Sequence, residues 1–158
     1  MKSINISDAA YLAGLFDGEG TFTITTLKTA KYPKYYFVEV YLTNTNKGIM
    51  DWLSTILDGK ACITRHSDKG KNWKDVYKFN VHAKDKEVFI KKIYLYLRIK
   101  KEQARLALEL LSMIREQKAS KRGIGGLSLQ EREARQQIAI SIVSFNKRGL
   151  SKTASVND

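Results

Sequence analysis

Two stretches of alternating polarity, Thr21–Lys28 and Tyr35–Asn44, limit this chain more than any other feature. In the first, Phe22 and Ile24 oppose Thr21, Thr23 and Thr25. In the second, Val38, Val40 and Leu42 oppose Tyr35, Phe37, Glu39, Tyr41 and Thr43. A period of two marks a strand buried on one side only. Strands of that kind need a sheet with one covered face and one wet face, an arrangement common in antiparallel sheets. A turn around Pro33, the one proline, joins the two.

The rest of the chain supplies the cover. Ser7 is placed to cap a first helix over Asp8–Asp17, which ends at Gly18-Glu19-Gly20. Asn46 caps a second, whose stripe is Ile49, Trp52, Leu53, Ile56 and Leu57. Asp58-Gly59 ends it. A third strand follows over Lys60–His66, with Ala61 and Ile63 opposite Cys62, Thr64 and His66. A fourth runs over Asp75–His82, where Tyr77, Phe79 and Val81 alternate with Val76, Lys78 and Asn80. Asp85 caps a third helix that turns Phe89, Ile93, Tyr96 and Leu97 inward. Arg98–Lys101 links it to a fourth, running to about Arg115 with Ala104, Ala107, Leu108, Leu111 and Ile114 inward. The Gly123–Gly126 break precedes a capping box, Ser128 with Glu131. A last helix then reaches about Phe145 with Ala134, Ile138, Ile142 and Phe145 inward. The order predicts an α+β fold: an αββαββα core, a saddle-shaped antiparallel sheet with helices on one face, and extra C-terminal helices. Residues 1–145 read as one domain and 146–158 as a polar tail.

Charge says what the open sheet face meets. Lys and Arg number 28 against 16 Asp and Glu, a net charge of +12. Residues 59–101 hold thirteen basic residues against four acidic, whereas the first 58 are near neutral. Such a surface expects a polyanion, nucleic acid first and an anionic membrane second. No apolar run approaches the roughly 18 residues of a membrane span. A single cysteine, Cys62, excludes an intrachain disulfide framework, and with only His66 and His82 beside it there is no zinc cluster.

The first helix is lined with small residues. Ala10, Gly14 and Gly18 recur every fourth position, flanked by Ala9 and Ala13. This allows close approach of another backbone. The partner is either the same helix of a second chain across a two-fold axis or another helix of its own chain. Glu19 follows between two glycines. A carboxylate beside open backbone carbonyls suits a hard cation such as Mg²⁺. Two copies of Glu19 near a two-fold axis would face two phosphodiesters.

Leu12-Ala-Gly-Leu-Phe-Asp-Gly-Glu-Gly20 closely resembles the signature of the LAGLIDADG homing endonucleases. It matches at Leu12, Ala13, Gly14, Leu15, Asp17 and Gly20, with Phe16, Gly18 and Glu19 as variants. The resemblance implies a homodimeric, metal-dependent endonuclease of double-stranded DNA with a long, near-palindromic target. It places the catalytic acid at Glu19, which with the Gly18 carbonyl would hold Mg²⁺ or Mn²⁺. Lys100 resembles the family's active-site lysine, with Arg98 as the alternative. Asn44, or else Asn46, falls where the family has a polar helper, and Gly48 where an arginine is sometimes found. Ala9, Ala10, Ala13, Gly14 and Asp17 would form the dimer interface, with Asp17 capping the facing helix.

Target reading would fall on the polar sheet face through Thr23, Thr25, Tyr35, Phe37, Glu39, Tyr41, Thr64, His66 and Lys78. Lys28, Lys31, Lys34, Lys69, Lys71 and Lys74 in the loops would hold phosphates. Two other readings share the fold: an intron maturase that binds RNA, and a DNA-binding regulator that does not cut. Retention of an acid at Glu19 argues against the first. The small number of residues after 115 argues against the second. The N-terminus carries no apolar or Arg-rich leader, so the protein is expected where its host intron lies, in an organelle or a prokaryotic cytoplasm.

Overall fold

The computed structural model describes residues 4–27, 35–57, 61–65, 74–120 and 127–146. The elements are α1 (Ile6–Gly18), β1 (Gly20–Leu27), β2 (Tyr35–Asn44), α2 (Lys47–Ile56), β3 (Cys62–Arg65), β4 (Val76–Asn80), α3 (Lys86–Tyr94), α4 (Lys101–Ala119) and α5 (Leu129–Asn146). This is the expected α+β order with two added helices. The four strands form one antiparallel sheet in the order β1-β2-β4-β3. Among the described residues no helix is long and apolar enough to cross a membrane.

Alternation in β1 and β2 does what it predicts. Phe22, Ile24, Val38, Val40 and Leu42 are buried, and Phe79 of β4 joins them. Helices α1, α4 and α5 pack against β1, and α2 against β2 and β4, all on this face. Phe16 ties α1 to the sheet and to α3, with its ring 5.7 Å from Phe22 and 5.0 Å from Phe89. Each such ring contributes roughly 1.5–3 kcal/mol by leaving water. Beyond Asn80 the sheet edge of β2 is closed differently: Val81 donates to the Val40 carbonyl and the Lys86 ammonium to that of Val38.

Gly20 begins β1 because nothing larger fits there. A Cβ at this position would lie 2.7 Å from the Phe16 Cα and closer still to its ring. The helix-to-strand turn is therefore pressed against the last turn of α1, which fixes where Glu19 stands.

Several local expectations are corrected. Asn5, not Ser7, caps α1, because its extended backbone aims the amide oxygen at the Asp8 N–H, 2.8 Å away. Asp85 precedes α3 but in a helical conformation that makes no side-chain cap bond. Among the described residues β3 starts at Cys62, with Ala61 outside it, and Ile63 on it is 43% exposed because β3 lies at the sheet edge. α4 runs on to Ala119 and buries Gln103, Leu106, Leu110 and Gln117, while Leu108, Leu111 and Ile114 are only half-buried. It lies between α3 and α5, so its inward side is broader than one stripe. The capping box holds: Ser128 N–H donates to Glu131 (2.8 Å) and Glu131 N–H to the Ser128 hydroxyl (3.2 Å). On α5, however, Ala134 and Phe145 face outward and Arg135 and Ala139 inward. The Arg135 guanidinium can be buried because Gln117 and the Met113 carbonyl accept from it. Asn146, expected in the tail, is the last residue of α5.

Candidate active site

The end of α1 and the segment before α4 are clasped together. Residues 12, 13, 16 and 17 share the inward side of α1, so Asp17 is buried while Glu19, past the helix end, is exposed. The Asp17 carboxylate accepts from the backbone N–H groups of Arg98 (2.7 Å) and Lys100 (2.9 Å). The Lys100 ammonium in turn donates to the carbonyls of Phe16 (3.0 Å), Gly20 (2.5 Å) and Gly18 (3.4 Å). Asp17 thus caps a segment of its own chain rather than a facing helix. These two bonds are made within one protomer.

Glu19 stands between two clefts. One is lined by Asp17, Gly18, Thr21, Thr23, Tyr41, Thr43, Ile99, Lys100, Gln103, Phe145 and Asn146. The other is lined by Thr43, Asn44, Thr45 and Val76. Lys100 lines the first cleft; Arg98 is exposed and lines neither. The two asparagines have separate tasks. Asn46 caps α2 by accepting from the Ile49 N–H, whereas Asn44 accepts from the Asn46 N–H and borders Glu19's cleft. Gly48 is exposed and brings no side chain. Among the described residues no three His, Cys, Asp or Glu gather as a metal cluster. What one chain offers is a carboxylate and a helix-end carbonyl that already attracts an ammonium. That donor set fits a hard cation completed by water and phosphate oxygens.

Thr43, Gln103 and Asn146 border the site without having been singled out. The parity of β2 already places Thr43 beside Tyr41. Gln103 and Asn146 lie far along the chain and carry no local signal. Asn146 donates its amide to the Phe22 carbonyl (2.8 Å), which anchors the end of α5 at the site.

The polar sheet face carries Thr21, Thr23 and Thr25 of β1 opposite Tyr41, Glu39 and Phe37 of β2. Lys78 and Asn80 of β4 extend it. The Lys78 ammonium sits 3.7 Å from the centre of the Tyr41 ring. The Tyr35 and Phe37 rings stack at 6.2 Å, and Phe37 is 44% exposed. Burial lowers the pKa of Lys86, and the Glu39 carboxylate opposes that shift. A register irregularity between Ile63 and Arg65 breaks the parity of β3. Cys62 pairs with Lys78 on the polar face, but Thr64 is the extra residue and its hydroxyl donates to the Val76 carbonyl (3.1 Å). Its placement among the reading residues by simple alternation is therefore corrected. Lys74 is exposed just before β4. Lys28, Lys31, Lys34, His66, Lys69 and Lys71 lie outside the described residues.

The small residues of α1 divide between two sides. Ala9 and Ala13 are buried in the protomer's own core, which removes them from any interface between chains. Ala10, Gly14 and Gly18 face outward with Ile6, and a Cβ on either glycine would meet nothing within 4 Å. Tyr11 borders this stripe, held edge-on by Trp52.

A family model described as LAGLIDADG endonuclease matches residues 12–109. No curated protein sequence matches the chain. Solved structures do. The homing endonuclease I-CvuI, in complex with uncleaved DNA in the presence of magnesium, matches with a TM-score of 0.66 at 20% identity, over 93% of this chain and 86% of that one. A second I-CvuI complex contains calcium. The archaeal intron-encoded homing endonuclease I-Vdi141I, complexed with DNA, has a TM-score of 0.69 at 15% identity, over 92% and 88%. In I-GzeII, also bound to DNA, the likeness (TM-score 0.63, 20% identity) covers 94% of this chain but 47% of the other. At these identities the likeness concerns the fold.

Proposed function

The chain belongs to the LAGLIDADG endonuclease family, and from that premise we propose that it is a homodimeric homing endonuclease cutting both strands of a long, near-palindromic DNA site. The observation that carries this reading is the meeting of three features at one helix end. Glu19 is exposed at the mouth of a cleft, Lys100 lies beside it, and the outward stripe of α1 begins at Gly18. A twin packed on that stripe brings two copies of Glu19 together. Glu19 and the Gly18 carbonyl would hold Mg²⁺ or Mn²⁺, which supplies Lewis-acid activation of water and charge neutralisation at phosphate. Glu19 orients the attacking water. Asn44 borders the same cleft as a polar helper. The sheet face, with Thr23, Thr25, Tyr35, Phe37, Tyr41 and Lys78, fits the major groove as a β-ribbon. The maturase and regulator readings gain no separate support from this site. The test is incubation of the purified protein with a plasmid carrying the uninterrupted insertion site of its own gene. Linear product in Mg²⁺ but not in EDTA is expected; intact plasmid in both would refute the reading.

Gly14→Leu is expected to abolish the dimer and leave the protomer folded, since a side chain there enters open space in its own chain. Light scattering and circular dichroism on the same sample check this. A folded, dimeric variant would place the interface elsewhere.

DNA affinity is expected to fall steeply with salt, and Lys78→Ala to reduce the log–log slope by about one per protomer if its ammonium meets a phosphate. A change of base preference with an unaltered slope would instead assign Lys78 to base reading. Fluorescence anisotropy over a salt series separates the two.

A further inference from the structure

We propose that Lys100 is a built-in counter-cation of the metal-ligand turn, seated on the Gly18 carbonyl until that oxygen takes up a divalent ion, so that Lys100 sets how tightly the turn binds metal. The proposal rests on the reading of Glu19 and Gly18 as metal ligands.

The C-terminal end of α1 is the negative end of its dipole, and its last turn contains no basic residue. Lys100 supplies the missing charge from far along the chain. Its ammonium donates to the carbonyl oxygens of Phe16, Gly18 and Gly20. Asp17 fixes the Lys100 backbone, so the side chain extends from an anchored point. Carbonyl oxygens gathered around an ammonium are also the donor chemistry of a hard divalent ion. Glu19 adds a carboxylate next door. One oxygen, that of Gly18, belongs to both sets. Its bond to Lys100 is the longest of the three at 3.4 Å and the easiest to give up. Two cations on one oxygen repel at short range. Lys100 must therefore withdraw from Gly18 when a divalent ion is bound there, while the Phe16 and Gly20 carbonyls retain it beside the site. Lys100 acts here as a positioning residue through the turn.

The test titrates Mn²⁺ alone into the full-length protein and into Lys100→Met, with free ion read by electron paramagnetic resonance. Lys100→Met is expected to bind Mn²⁺ about tenfold more tightly, because the like charge competing for the Gly18 oxygen is gone. It is also expected to melt below wild type in EDTA, with the gap narrowing as Mn²⁺ is added. A purely structural lysine would leave Mn²⁺ affinity unchanged or weakened. In the unsubstituted protein, acetylation of Lys100 mapped by mass spectrometry is expected to rise with Mn²⁺, so a misfolded variant does not shelter the proposal. Equal or weaker affinity in a folded Lys100→Met, no Mn²⁺ binding to either protein, or acetylation indifferent to Mn²⁺ would each overturn it. DNA cleavage is scored separately. A protein that cuts DNA while its Mn²⁺ affinity ignores Lys100 refutes the lysine's role alone. One that neither cuts DNA nor loses Mn²⁺ on Glu19→Gln refutes the functional reading beneath it.

Discussion

Glu19→Gln is expected to lower DNA cleavage in Mg²⁺ by about a hundredfold to a thousandfold, the range for losing one preorganised electrostatic contact at a reacting phosphate or acyl group. Binding to the same DNA is expected to persist, because the sheet face and its lysines are untouched. Folding is expected to improve slightly. Glu19 is the C-cap of α1, where the dipole disfavours a carboxylate. It is exposed, so no buried bond is lost. The gain is about 0.3–1 kcal/mol. Loss of activity together with a higher melting temperature is a signature that a merely structural turn residue cannot give. A gel assay of binding and nicking on one target, with a thermal melt of the same preparation, checks all three. Full strand cleavage by the variant would remove Glu19 from the mechanism.

Sequence legibility followed the range of the interactions involved. β1 and β2 were readable because a period of two is set by the strand itself, and burial followed that period through Leu42. The capping box at Ser128 was readable because both its bonds span three residues. Asn5 was missed in favour of Ser7 because both are good caps, and the choice depends on which backbone is extended. Parity failed at Thr64, where one extra residue re-registers the edge strand. Arg135 was missed because burying a guanidinium requires Gln117 and Met113 from another helix. The small residues of α1 were visible as a set, yet their division into Ala9 and Ala13 within and Ala10 and Gly14 without depends on what packs against the helix. Glu19 was legible as a cation ligand from its place between two glycines, whereas Lys100 was legible only through resemblance to a family. Their meeting at one helix end joins segments some eighty residues apart.

Asp17→Ala is expected to destabilise each protomer by about 3–6 kcal/mol, from two charge-assisted bonds at roughly 1.5–3 kcal/mol each. Arg98 and Lys100 would be left with backbone N–H groups that lose their acceptor in a partly buried clasp. Against a typical stability of about 5–15 kcal/mol this is a large fraction, and a fall in melting temperature of roughly 10 °C is expected. Asp17→Asn retains one acceptor oxygen but turns an amide NH₂ toward the second donor, so a smaller loss is expected. Cleavage is expected to fall as well, because the end of α1 that carries Glu19 loses the clasp that fixes it. The geometry also specifies how the loss depends on concentration. Were Asp17 a contact between chains, its removal would spare the protomer and weaken the dimer, and the penalty would grow on dilution. A carboxylate that caps its own chain predicts the same penalty at high and low protein concentration. Thermal melts of wild type and both variants over a hundredfold range of concentration decide between them. A penalty confined to dilute protein would place Asp17 in the interface. An unchanged melting temperature at every concentration would show that the clasp between α1 and the start of α4 does not hold the fold.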